Sequence, residues 1–366
     1  MQTSENTARS VGTMFSESSL VESTDPDATR WHQQADWPLE KTTSLGRLRP
    51  VSAKSSSHIG ELFQAPVVGP DGSIVTGLIT LPDSSLWAKV VLIPLPGHDI
   101  VMRAGFTKVR RAVELTFEFL GEKCPGLEIW IEDNIIPGVG MGSSTCHCTA
   151  GVLAACRMCK RKITDLDVMT LVYRAEGPCD PLAAIDWGVV PIWASRAGFL
   201  VDIIPRPLPR LVALGFVTDR RSVSTDELAR RTVYTDADVL AAAPVFEAAK
   251  KAILSGSAAD LALAATASAT LNQTRCATPF WRELNHIAKK VGAAGVAASH
   301  SGTAASLLWT PQTESLRSKI DEARQWLMAL GATSIHPFST SKSPSLRDIG
   351  VQGSLRPPAC LPVGPA

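Results

Sequence analysis

The stretch Pro137-Gly138-Val139-Gly140-Met141-Gly142-Ser143-Ser144-Thr145 lies between two segments of different periodicity. Upstream, Leu127 to Ile135 alternates apolar and polar residues, as a half-buried strand does. Downstream, Ser144 to about Arg161 is a run of small and apolar residues with helical character. Glycines at alternate positions adopt positive φ and let backbone N–H groups approach an anion without interference from a Cβ. The helix start adds unpaired N–H donors and a partial positive charge, and Ser143, Ser144 and Thr145 add hydroxyls. The loop suits a triphosphate. Two familiar phosphate loops are excluded by spacing: a P-loop needs Lys after its last glycine, where Ser143 stands, and the dinucleotide fingerprint is G-x-G-x-x-G, against G-x-G-x-G here. The plainer alternative is a helix cap that packs tightly. Pro137 before the glycines and the hydroxyl run after them favour the anion site.

Working outward, Leu78 to Thr80 and Trp87 to Ile93 read as strands behind the Pro70-Asp71-Gly72 turn. Residues 107–120 place Val109, Val113, Phe117 and Leu120 on one helical face. A further helix begins near Asp165, and Ala183 to Ile204 is strand-like. Pro205, Pro207 and Pro209 form a stiff connection and the expected domain boundary. Beyond it come a buried strand at 211–217, helices at about 236–254, 257–272 and 279–291, a strand at 294–298, a helix at 314–330 and a strand at 332–337. Strands and helices mix without regular β-α-β alternation, so an α+β fold of two domains is expected. The expected division is an extension over 1–50, domains over 51–206 and 207–342, and a Pro/Gly-rich tail over 343–366. In the extension only Trp31 and Trp37 are sizeable anchors.

Composition bounds the function classes. The chain has 366 residues, 45% hydrophobic and 19% charged, enough for a sizeable core. Lys and Arg number 36 against 35 Asp and Glu, a net charge of +1. That balance argues against a partner held by bulk electrostatics, whether nucleic acid or lipid surface. The sequence has no apolar run of about 18 residues, so no membrane span is expected. Eight cysteines without a secretion signal read as reduced thiols in a cytoplasmic protein. Oligomeric state is not legible.

The loop and the helix after it resemble the second motif of the GHMP kinases. Within that superfamily the likeness is greatest to the L-threonine kinase branch associated with cobalamin synthesis. Gly60-Glu61-Leu62-Phe63-Gln64 resembles that branch's GELIQ. Glu176-Gly177-Pro178-Cys179-Asp180 resembles its EPTD with one residue inserted, and Ser299-His300-Ser301-Gly302 resembles its AHSG. The resemblance covers about residues 55–340 and implies a two-domain GHMP-kinase-like fold with its active site in the cleft between the domains. There are departures: the branch's Pro-Ala-Ser-Cys is here Ser55-Ser56-Ser57-His58-Ile59, and its glycine after Gln is Ala65.

The resemblance implies an ATP- and Mg²⁺-dependent kinase acting on the hydroxyl of an amino acid, with L-threonine foremost and another small hydroxyl metabolite the alternative. Pro137, Gly138, Gly140, Met141, Gly142, Ser143, Ser144 and Thr145 would hold the phosphates of ATP, joined by Ser301 and Gly302 of the third motif. Ser144 and Glu176 would lie near Mg²⁺, which prefers oxygen ligands. Asp180 is the candidate general base, or an electrostatic partner of the attacking hydroxyl. Glu61, Gln64 and His300 are the candidate substrate-binding residues. Pro178 and Pro181 preclude a continuous helix through Glu176 and Asp180, so both are expected at the end of the second helix, facing a common cleft.

A rival reading starts from Cys146-His147-Cys148 and Cys156-x-x-Cys159, which offer four soft ligands to zinc in a non-catalytic metal or thiol protein. On one helix, however, Cys148, Cys156 and Cys159 share a face as a core stripe would, and Cys146 points elsewhere. A single rigid helix cannot close a tetrahedron, so core packing is the preferred reading.

Overall fold

The computed structural model describes residues 49–102, 104–182, 188–219 and 233–340, all within one compact unit, Thr42–Ala366. The expected N-terminal extension, except residues 49–50, and the tail over 343–366 lie outside the described residues, as do positions 183–187 of the strand-like stretch. The strands are β1 (Val51–Val68), β2 (Ile74–Leu95), β3 (Ile100–Met102), β4 (Gly126–Asp133), β5 (Val190–Ala194), β6 (Phe199–Ile204), β7 (Val212–Val217), β8 (Gly295–Ala298), β9 (Ala304–Trp309) and β10 (Thr333–Ser339). The helices are α1 (Thr107–Phe119), α2 (Ser143–Met158), α3 (Asp165–Glu176), α4 (Asp236–Ser255), α5 (Ala258–Asn272), α6 (Trp281–Lys290) and α7 (Leu316–Ala329).

The strands form one sheet in the order β10-β7-β9-β8-β1-β2-β4-β3, with the β5–β6 hairpin attached to β2. Pairing is antiparallel except between β3 and β4. The two halves of the sheet meet at a narrow seam, where β1 pairs with β8 only through Glu61 opposite Ala298. The fold is mixed α and β without doubly wound alternation, as the sequence predicts.

β1 was not anticipated, and its burial explains why. From Ser57 to Val67 every residue is buried, because α2 covers one face while α4 and α5 cover the other. A strand covered on both faces loses the polar-apolar alternation by which strands are read. Its serines, His58, Glu61 and Gln64 are therefore interior groups that need partners.

α2 is almost wholly buried, packed against α1, α3, β1 and β2. Its small residues permit that: a Cβ on Gly151 would already stand 3.2 Å from Val109 Cγ1. Cys148 and Cys156 lie in the core shared by α1, α2 and α3, with Cys159 packed against it, whereas Cys146 faces a second core under β1. α3 starts at a capping box: Thr164 Oγ1 accepts from Asp167 N at 3.1 Å while Asp167 Oδ2 accepts from Thr164 N at 2.9 Å. A cap of this kind contributes about 1 kcal/mol. It also fixes where the helix begins, and so where Glu176 ends it. Among the described residues, no helix is long and apolar enough to cross a membrane.

Candidate active site

The glycine loop closes on α2 with Gly142 as N-cap, at φ +65° and ψ 26°. Gly138 and Gly140 also have positive φ, +77° and +73°. No side chain caps the N-terminus of α2, so its first-turn N–H groups remain available to a ligand at the helix start. Val139 and Met141 are 2% exposed and packed in the core. Met141 therefore reaches the site by its backbone, and its carbonyl accepts a hydrogen bond from Ser57 Oγ. Pro137 and Gly138 are exposed, and Ser143 and Ser144 half-buried.

The third motif lies directly against this loop. A Cβ on Gly140 would stand 2.2 Å from Ser301 Oγ and 2.7 Å from Ser299 Oγ. Ser301 Oγ lies 3.1 Å from Ser299 Oγ and 2.6 Å from Thr303 Oγ1, a short chain of hydroxyls beneath the turn at Gly302. Loop and turn are far apart in sequence yet touch.

Glu176 and Asp180 converge on Thr145, which sequence reasoning had placed only with the phosphates. Thr145 Oγ1 donates to Glu176 Oε1 at 2.6 Å and accepts from Asp180 N at 3.4 Å. Burial raises Glu176 to about 7, although hydrogen bonds from Ser144 and Thr145 work the other way. The carboxylate and the two hydroxyls at the head of α2 form an all-oxygen donor set of the kind Mg²⁺ takes. The uncapped helix start beside them fits the phosphates of ATP.

Sequence reasoning missed His58, noted only as a departure from the family pattern. Its Nε2 lies 3.1 Å from Asp180 Oδ2, and its Nδ1 is 3.4 Å from Glu61 Oε1. Gly60, at φ +95°, lies at the β1 register break between His58 and Glu61, whose side chains approach each other. That φ favours glycine, and a Cβ would in addition crowd Ala297 Cβ at 3.2 Å. From the β8–β9 turn, His300 Nδ1 approaches Glu61 Oε1 at 3.6 Å and Asp180 Oδ1 at 3.9 Å.

Opposing effects set the charges. Burial alone would lower His58, but Asp180 and Glu61 bring it to about 9. Burial raises Asp180, yet the imidazolium of His58 outweighs this and holds it at about 2. Burial pushes Glu61 above its ordinary value against the pull of His58. His300 is raised because Glu61 and Asp180 outweigh its desolvation. A buried ion pair, His58⁺–Asp180⁻, thus sits beside the glycine loop at neutral pH. Gln64 is 6% exposed, its main chain tied to Ser268 and Asn272, and with Glu61, Thr278 and Ser299 it lines a small polar recess.

The α2 cysteines form no such cluster. Among the described residues, the one group of His, Cys, Asp or Glu able to share a metal ion is His58, Glu61 and Asp180. Burial raises Cys146 and Cys156 to about 12, so both are protonated packing residues.

Residues 107–186 match the family model described as the GHMP kinases N terminal domain. No curated protein matches the chain in sequence. Among solved structures, homoserine kinase from Cytophaga hutchinsonii superposes with a TM-score of 0.56 at 17% identity, covering 79% of this chain and 94% of that one. Mevalonate kinase from methicillin-resistant Staphylococcus aureus gives 0.53 at 16% identity, covering 80% and 98%. A structure of MDDEF in complex with MVAPP, AMPPCP and magnesium gives 0.57 at 11% identity, covering 79% and 97%. At such identities the likeness speaks for the fold. The chain therefore has the fold of homoserine and mevalonate kinases and carries, over residues 107–186, a segment that matches the GHMP kinases N terminal domain.

Proposed function

We propose that this chain is an ATP- and Mg²⁺-dependent kinase that phosphorylates the hydroxyl of a small amino acid, with L-threonine the leading acceptor and O-phospho-L-threonine the product. The observation that carries the reading is the uncapped start of α2, held between the Ser299–Gly302 turn and the Asp180–His58 pair. A helix start of this kind binds an anion, and a carboxylate beside it can receive a hydroxyl.

Bound ATP supplies the phosphoryl group, and Mg²⁺ neutralises charge on its oxygens. Backbone N–H groups of 143–145 and the glycine loop would hold the phosphates, and Ser144 and Glu176 the cation. Asp180 is ionised at neutral pH and accepts a hydrogen bond from the acceptor hydroxyl, orienting it in line. With a pKa of about 2 it is a weak base, so it takes the proton late, as the oxygen bonds phosphorus. His58 keeps that carboxylate charged and fixed. Glu61, Gln64 and His300 face the acceptor. Residues 51–206 carry the nucleotide side, and 207–342 complete the site through His300, Ser301 and Gly302.

The testing experiment measures ADP release with L-threonine, L-serine, L-homoserine and simple alcohols. Acceptor-dependent release with at least one amino acid is expected. Release with none of them would overturn the amino-acid reading.

A further inference from the structure

Among the described residues, the cluster at the seam of the sheet is the one group whose ligand atoms lie close enough together to share a metal ion. We propose that His58, Glu61 and Asp180, with His300 beside them, form a site for one divalent d-block cation of the zinc class, separate from the Ser144–Glu176 magnesium position. The inference goes beyond the kinase reading and does not depend on it.

Three observations converge. The first is the state of Glu61: its side chain is 1% exposed, neither carboxylate oxygen makes a well-formed hydrogen bond, and its nearest polar neighbours are the ring nitrogens of His58 at 3.4 Å and His300 at 3.6 Å. Leaving a buried carboxylate with only such long contacts is costly, so the group calls for an explanation. His300 Nδ1 is likewise buried without a hydrogen-bond partner.

The second is spacing. Charge-assisted N–H···O bonds run about 2.7–2.9 Å. The gaps here are longer: 3.4 Å from Glu61 Oε1 to His58 Nδ1, 3.6 Å to His300 Nδ1, 3.9 Å from His300 Nδ1 to Asp180 Oδ1, and 3.1 Å from His58 Nε2 to Asp180 Oδ2. Ligands about 2.0–2.1 Å from a tetrahedral zinc stand roughly 3.3 Å from one another. His58 meets Glu61 and Asp180 through opposite ring nitrogens, and one ligand atom from each of His58, Glu61 and Asp180 lies within 4.8 Å of the others, close enough for the three to converge on one cation.

The third is chemistry. One imidazole and two carboxylates, with the imidazole of His300 beside them, form a set that suits zinc, iron or nickel, whereas magnesium takes oxygen. An ammonium group would meet two imidazoles that themselves carry positive charge near these carboxylates; a d-block cation uses the imidazoles as neutral ligands. With His58 Nε2 on the cation, Nδ1–H lies 3.4 Å from Glu61 Oε1 and 3.5 Å from the Gly60 carbonyl, outer contacts of the kind that orient a ligating histidine.

The test uses the full chain, stripped with chelator and free of nucleotide, titrated with Co²⁺ as the spectroscopic substitute for zinc. Binding of one equivalent is expected, with visible bands of four-coordinate strength and no near-ultraviolet cobalt–thiolate bands. Glu61→Gln and His300→Gln should each weaken affinity by about 100-fold or more, judged against the 10–100-fold that outer contacts alone supply. Circular dichroism verifies that each variant is folded. Should a variant fail to fold, X-ray absorption of the wild-type cobalt protein must show a shell of nitrogen and oxygen with imidazole scattering. Failure of the folded chain to bind one equivalent would overturn the proposal. So would thiolate bands, a sulfur shell, or unchanged affinity in both variants.

Discussion

Gly142 turns directly against the ring of His58: a Cβ on Gly142 would stand 2.5 Å from His58 Nε2 and 3.0 Å from Asp180 Oδ2. The last glycine of the loop is thus required by the ion pair behind it as well as by φ +65°. Gly142→Ala should destabilise the protein by about 2 kcal/mol or more, of which roughly 1–2 is the left-handed backbone. In a His58→Ala background the penalty should shrink toward the backbone part, since the clash is gone. Denaturant unfolding of the four proteins measures this. Equal penalties in both backgrounds would show that the ring is not what Gly142 accommodates.

Asp180→Asn keeps the shape of the side chain and removes its charge. If Asp180 receives the acceptor hydroxyl, turnover should fall about 10²–10⁴-fold, the range of one positioned proton acceptor. Nucleotide affinity should stay within a few-fold, because the start of α2 is untouched. ADP release and nucleotide titration separate the two. Near-normal turnover would remove Asp180 from the chemistry.

Glu176 ends α3 and accepts the 2.6 Å hydrogen bond from Thr145. Glu176→Gln leaves an acceptor for that hydroxyl but takes away the negative charge that draws a divalent ion. The Mg²⁺ concentration needed for half-maximal activity should rise at least about tenfold, in line with the affinity losses seen when groups around a bound ion are altered. An unchanged Mg²⁺ requirement would place the cation elsewhere.

The parts of this molecule legible in sequence are those whose signals are local. The glycine loop stands between an alternating strand and a small-residue helix, and β4 and α2 form on either side of it. β9, Ala304–Trp309, went unseen because a short run buried at every position shows no alternation. β1 was lost in the same way, and with it His58. The ion pair of the site joins His58 to Asp180 across 122 positions, and nothing in local spacing encodes such a pairing. Glu61 and His300 could be singled out by resemblance. Their convergence with His58 required the register break at Gly60, which only the folded strand displays.

Away from the site, His336 on β10 pairs with Asp83 on β2, Nε2 to Oδ2 at 2.7 Å, and Asp83 is fully buried. Desolvation works to lower His336, but the hydrogen bond and charge of Asp83 raise it above its ordinary value of 6.5. A histidine whose folded pKa is raised binds its proton more tightly in the folded state. The pair's contribution is therefore full below about pH 6.5, the unfolded value, and fades as pH rises through the higher folded value. His336→Asn should destabilise the protein most at pH 6 and progressively less above pH 7, so the two stability curves converge toward alkaline pH. Urea unfolding of both proteins across that range, at fixed ionic strength, reads the difference directly. A gap that stays constant with pH would mean that His336 contributes by packing and by neutral hydrogen bonding, without its proton.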